Sequence, residues 1–348
     1  MIESLYAKSF ASDNHAGAHP SIVEAVAAAN AGDAPAYGDD SWTAVLAGQI
    51  RAEFGDDATS LVVLNGTGAN MVALGMMLGR RFDAVICPET AHIATHEAGA
   101  SERILGVKLV TVPTPEGKLT PQDVTSRLGG RGNISEVQPR VVSISEVTEL
   151  GTCYTPGEIA ALAEAAHAND MLLHMDGARL ANAAAFLGCS LRELTTDVGV
   201  DVLSFGASKN GALVGEAVVV LRPELADAGP YLRRQTLQLA SKMRFVSVQL
   251  STLLTDELWR RNAAHANAMA RRLADGVADL PGLSITWPVE ANAVFAALPA
   301  EAIEELRSRY LFHVWDAPSG VVRWMTAFDT SPEDVDTFVA DIRQTLKG

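Results

Sequence analysis

Residues 201–220, DVLSFGASKNGALVGEAVVV, decide how the rest of the chain is read. An apolar run, 202–205, enters a turn of small residues, Gly206-Ala207-Ser208, and a second apolar run, 217–221, leaves it. The link between the runs is too short for a crossover, so the two strands are expected to pair antiparallel. A single lysine, Lys209, sits in the turn. A lysine at the end of a buried strand is costly, because its charge leaves water. Condensing the amine with an aldehyde removes that cost. An ordinary surface lysine in a strand-to-strand turn is the plainer alternative. The rest of the chain must therefore supply a ring partner, a phosphate site and a substrate clamp.

Upstream of this stretch the pattern alternates. Short apolar runs at 61–64, 84–87, 109–112, 141–146 and 171–175 read as strands. Helices are expected at 42–54, 69–78, 93–99 and 156–168, from Pro121, and as a short piece at 191–197. Ser21 with Glu24 reads as a capping box for a helix ending near Ala29. With 202–205 and 218–221 this makes a seven-stranded, mostly parallel sheet between helices, an α/β architecture. From about Tyr231 the chain becomes helical, with Leu258, Met269, Leu273, Val277 and Leu280 on one stripe. A compact ββαββα pattern follows at 283–287, 293–298, 302–309, 312–315, 321–326 and 332–346. We expect an N-terminal arm at 1–20, a large domain at 21–250 and a small C-terminal α/β domain at 251–348.

At 348 residues, two domains are the default. Apolar residues make up 48% and charged residues 20%, a globular composition with ample core. The net charge of −15 argues against nucleic acid and anionic membrane as partners. Cys87, Cys153 and Cys189 form no CxxC pair and read as reduced core residues of a cytoplasmic protein. The start, MIESLYAKSFASDN, has no apolar core of a signal peptide, and no run reaches membrane-spanning length.

Ligands of doubly wound sheets sit at the carboxyl ends of strands, and four features fall there. Gly66-Thr67-Gly68 opens a helix directly after a strand, where free N–H groups and the dipole favour an anion. A plain strand-to-helix turn would look the same. The loop is neither Walker A nor GxGxxG, since Met71 holds the third glycine position. Asp176 ends a strand and needs a cation: a protonated pyridine nitrogen, or Arg179 in an ordinary ion pair. His92 and His96 share the i, i+4 spacing of zinc ligands. The order is not HExxH and no third ligand is evident, so no metal is expected. His92 at a strand-to-helix junction can instead stack on an aromatic cofactor or be a satisfied core histidine. Arg323, inside an apolar strand, wants a carboxylate. It belongs either to a substrate or to Asp316 or Asp329.

These residues in this order resemble the fold-type I enzymes that use pyridoxal phosphate. The closer resemblance is to the L-threonine aldolase and β-eliminating lyase family, in its bacterial low-specificity branch. It rests on FASDN with Ser12, YGDD at 37–40, NGTGAN at 65–70, ETAHI with His92, HMDGARL at 174–180, FGASKNG around Lys209, LASKMRF with Arg244, and the Arg323 strand. It spans nearly the whole chain. The resemblance implies pyridoxal 5'-phosphate as cofactor, with Lys209 as its Schiff-base lysine and Asp176 at the pyridine nitrogen. It implies phosphate binding by Gly66, Thr67 and Gly68, and stacking by His92. Arg179, Arg323 and Ser12 would hold the substrate side of the site. It also implies a homodimer or homotetramer with shared sites, Tyr37 and Arg244 reaching into a neighbour's. One departure stands out: many members carry a histidine near the substrate hydroxyl where SEVTELG here places Glu149. The implied activity is cleavage of L-threonine and L-allo-threonine, and related β-hydroxy-α-amino acids, to glycine and an aldehyde. A β-eliminating lyase or an aminotransferase of the same fold is the alternative.

Overall fold

Seven strands form the main sheet of the computed structural model, which describes residues 8–347: β1 Thr59–Val63, β2 Asp83–Pro88, β3 Lys108–Val112, β4 Gln138–Ser145, β5 Leu172–Gly177, β6 Val202–Gly206 and β7 Glu216–Val220. Their order is β1-β7-β6-β5-β4-β2-β3. Neighbours from β6 through β3 are parallel, and β7 runs antiparallel to both β1 and β6. The antiparallel pair read from residues 201–220 is therefore present. Alternate residues enter opposite cores: Ala217 and Val219 pack in one, Val218 and Val220 in the other. Both faces are covered by helices, which is why the strands read as unbroken apolar runs.

Four further strands, β8 Ser284–Ile285, β9 Ala293–Ala297, β10 His313–Asp316 and β11 Val321–Met325, form an antiparallel sheet in the order β10-β11-β9-β8. The helix Leu258–Val277 serves both sheets. Leu258, Trp259 and Ala263 belong to the large core, and Met269, Leu273 and Val277 to the small one. Phe10 also packs in the small core, stacked on Phe338 at 4.4 Å. Its backbone is held by Leu311 and Met325. This anchor carries Ser12 and Asp13 across to the ends of the large sheet. The first seven residues of the expected arm lie outside the described residues.

Three local expectations are corrected. The helix Pro20–Ala28 is capped by His19, not Ser21, because proline fits the first position and the His19 ring accepts the Ser21 N–H at 3.3 Å. The helix expected at 93–99 is a single turn, His92–Thr95, followed by a second helix, Ala100–Ile104. Ala98 and Gly99 take positive φ between them and break the run. The helix expected at 191–197 is a set of tight turns with one 3-10 turn, Thr196–Val198. Ser190 and Thr195 spend their hydroxyls on local partners there.

Candidate active site

The carboxyl ends of the parallel strands converge on one cavity system. The turn after β1 leads to Gly66, the loop after β2 to His92, the loop after β4 to Glu149, the end of β5 to Asp176 and Arg179, and the turn after β6 to Lys209. Arg323 of β11 and Asn292 before β9 close it from the small sheet. Two adjoining cavities meet at Lys209, Asn14 and His92. The inner one, about 290 Å³, runs from Asn65, Gly66 and Thr67 past Asp176 to Lys209. The outer one, about 390 Å³, holds Ser12, Glu149, Arg179, Trp315 and Arg323.

Lys209 is seated in a 3-10 turn, Ser208–Asn210, tied down by Asn210 through its side chain to the Trp259 carbonyl at 2.9 Å. Burial and the nearby Arg179 charge lower its amine pKa, while Asp13, Asp176 and Glu216 pull the other way. A lysine eased toward its neutral form is a better nucleophile. Asp176 accepts the Asn70 amide at 2.8 Å and the Ala178 N–H at 3.1 Å. His174, two residues earlier, is buried between the hydroxyls of Ser143 and Ser204, at 2.9 and 3.1 Å, and burial pushes its pKa down to about 4. A neutral ring thus supports the strand that carries the carboxylate.

The helix Gly66–Met77 begins at the far end of the inner cavity. Asn65 caps the Gly68 N–H at 2.8 Å, and among the described residues the Gly66 and Thr67 amides find no protein acceptor. A Cβ at position 68 would sit 2.1 Å from the end of the Gln238 side chain, which would have to move. The two free amides make an anion seat.

The arginines differ. Arg179 is engaged in a fork with Asp13, at 2.6 and 2.9 Å, and Asn292 donates to the same carboxylate at 3.1 Å. The simple Asp176–Arg179 ion pair is therefore not what forms. Arg323 pairs with neither Asp316 nor Asp329. Asp329 faces Lys8 and Asp316 faces Ser319. Among the described residues the only hydrogen bond of Arg323 runs from Nη2 to the Ala11 carbonyl at 3.2 Å, its Nε is buried without a partner, and it lies over the Trp315 ring at 5.3 Å. Burial and the Arg179 charge lower its pKa to about 10. A half-buried cation with open donors is a receptor for an anion.

A sequence model of the beta-eliminating lyase family matches residues 9–301. The chain belongs to the beta-eliminating lyase family. This family member is 44% identical over 343 residues to the low specificity L-threonine aldolase of Pseudomonas aeruginosa, covering 98% of this chain and 99% of that one. It is 44% identical over 339 residues to the protein of the same name from a Pseudomonas species, covering 97% of each. A solved Leishmania major threonine aldolase matches it with a TM-score of 0.92 at 32% identity, over 97% of this chain and 99% of that one.

Not every expected site residue meets at Lys209 in this lyase-family chain. Tyr37 and Arg244 line neither cavity. Tyr37 is exposed, with Arg234 5.0 Å from its ring, and Arg244 donates to the Gly32 carbonyl at 2.9 Å beside Trp42. His92 and His96 do not converge on one point. Their rings stack at 5.8 Å, and the Nδ1 atoms are taken by Glu97 and Thr95. Asp13, Asn70, Glu97 and Asn292 were assigned no role from sequence. Asp13 and Asn70 stand inside the quoted FASDN and NGTGAN motifs, and for Asn70 a polar residue beside a glycine turn was the available signal. Glu149 accepts the His92 backbone N–H at 2.8 Å and the Ser145 hydroxyl at 2.6 Å. Burial, followed by the Asp176 charge, raises its pKa.

Proposed function

We propose that the chain binds pyridoxal 5'-phosphate and cleaves L-threonine, L-allo-threonine and related β-hydroxy-α-amino acids to glycine and an aldehyde. The observation that carries the reading is the inner cavity, whose wall holds an anion seat, a carboxylate and a lowered-pKa lysine together. Those three features suit a phosphate, a pyridine nitrogen and an aldehyde carbon. When bound, pyridoxal phosphate supplies an electron sink for the broken carbon bond. Near-full-length identity to two low specificity L-threonine aldolases supports the choice of reaction.

In this reading Lys209 is the amine that carries the cofactor, and Asp176, held by Asn70 and Ala178, is the anion that keeps the ring nitrogen protonated. Gly66 and Thr67 bind the phosphate through their amides, and Gly68 keeps the helix start close. Arg323 takes the substrate carboxylate with its open donors. Arg179, fixed by Asp13, lends positive potential and shape to the same wall, beside Ser12. Holding the carboxylate orients the Cα–Cβ bond, so positioning decides which bond breaks. His92 lines both cavities, and in this reading it would cover the ring and take the β-hydroxyl proton.

The exposed Tyr37 and the Arg244 segment support a homodimer or homotetramer in which they complete a neighbour's site. Among the described residues no helix is long and apolar enough to cross a membrane. The acidic charge and unpaired cysteines suit the cytoplasm. The reading is tested by adding L-threonine and following acetaldehyde with alcohol dehydrogenase, beside the visible spectrum before and after borohydride. Acetaldehyde from the L but not the D isomer, and a visible band abolished by borohydride, are expected. A colourless protein that turns over neither isomer would refute it.

A further inference from the structure

A hydrogen-bonded chain lies under the cavity floor. The Asn70 amide donates to Asp176 Oδ2 and to Glu97 Oε1, each at 2.8 Å, and Glu97 Oε1 also faces His92 Nδ1 at 2.8 Å. Glu97 is 6% exposed, and its second oxygen is buried without a partner. We infer that Glu97 is the positioning residue that holds His92 with its proton on Nδ1, leaving Nε2 bare as the acceptor of the substrate's β-hydroxyl proton. The inference rests on the aldolase reading above.

An amide NH₂ only donates, so Asn70 marks Glu97 Oε1 as an acceptor. An acceptor facing Nδ1 at hydrogen-bond distance requires the proton to sit on Nδ1. In the neutral ring Nε2 then carries the lone pair. Among the described residues Nε2 has no hydrogen-bond partner, and the side chain of His92 is 40% exposed, opening on both cavities. The backbone N–H of His92 is separately fixed by Glu149, so ring and main chain are both held.

Charge acts in the same direction. Glu97 is the nearest ionisable group to the ring, with Asp176 behind it through Asn70. Glu149 faces the main chain of His92, and the His96 ring stacks at 5.8 Å. Lys209, Arg179 and Arg323 share the outer cavity with His92. The carboxylate beside Nδ1 accepts the ring proton there and leaves Nε2 free to accept another. The proton taken from the hydroxyl stays on Nε2 until the aldehyde has left, and the protonated ring keeps its Nδ1–H on Glu97.

The test uses the cofactor-loaded protein labelled with nitrogen-15 in histidine, with His92→Phe to assign the signal. The expected spectrum near neutrality shows His92 protonated at Nδ1 and bare at Nε2, and Glu97→Gln weakens that preference. In kinetics, Glu97→Gln keeps the visible spectrum and exchanges the α-proton of glycine within a few fold of the parent. Cleavage falls about ten- to a hundredfold. A parent His92 protonated at Nε2 would overturn the inference. So would a variant whose cleavage and exchange fall together. If the parent does not cleave threonine, the aldolase reading fails while the tautomer still decides the placement of the proton. If Glu97→Gln does not fold, the parent spectrum decides alone.

Discussion

Replacing Arg323 with methionine should move function and stability in opposite directions. The guanidinium has a buried Nε with no partner and a single hydrogen bond to Ala11. Burial and the Arg179 charge lower its pKa from 12.5 to about 10, so the cation is disfavoured until an anion arrives. Methionine fills similar space without charge. The site is only partly buried, so solvent relieves much of the cost and the gain in stability should be about 1 kcal/mol or less. The melting temperature should stay level or rise slightly. Removing one partner of a desolvated ion pair costs about 3–5 kcal/mol, so kcat/KM for L-threonine should fall by about two to four orders of magnitude. Arg323→Lys should recover only part of this, because an ammonium lacks the planar fork. Initial rates of acetaldehyde release over a range of threonine concentrations, with melts of the same preparations, measure both effects. A kcat/KM within a few fold of the parent would refute the carboxylate role. A melting temperature lowered by several degrees would show Arg323 to be structural.

Lys209→Ala should fold, lose the visible cofactor band and lose turnover, checked by absorbance and circular dichroism together. Asp176→Asn should keep the cofactor but slow cleavage by at least about two orders of magnitude, because the ring nitrogen loses its anion. Burial raises the Glu216 pKa from 4.5 to about 7. Its folded carboxyl therefore prefers the proton, and this preference reduces stability as pH rises from about 4.5 through 7. Glu216→Gln should gain on the parent by up to about 3 kcal/mol between pH 5 and pH 8, measured from urea midpoints of the cofactor-free proteins. Mixing inactive Lys209→Ala and Arg244→Ala subunits should restore some activity through hybrid sites, with hybrids confirmed by native mass spectrometry.

The fold was legible because its strands are buried on both faces. Val218, Val219 and Val220 all enter a core, so the run in sequence is the strand in space. The lysine turn was legible because β6 and β7 leave no room for a crossover. The His92 loop was not, since two positive-φ residues at 98 and 99 interrupt a helical pattern that apolar spacing cannot detect. Among the candidate site residues, Lys209, Asp176 and Arg323 stood out as charges in apolar runs. Asp13, Asn70 and Glu97 did not, because their partners lie 166, 106 and 5 residues away and only folding makes them partners. Arg179 was read as a substrate clamp. Its fork is occupied by Asp13, which no local spacing could indicate.

Carbon–carbon cleavage at this site is tested most directly by carbon-13 magnetic resonance of uniformly labelled L-threonine incubated with the pure protein. The account predicts labelled glycine and labelled acetaldehyde in equal amounts, both lost in Lys209→Ala. Labelled 2-oxobutanoate with ammonia and no glycine would contradict it and mark the chain as an eliminating enzyme.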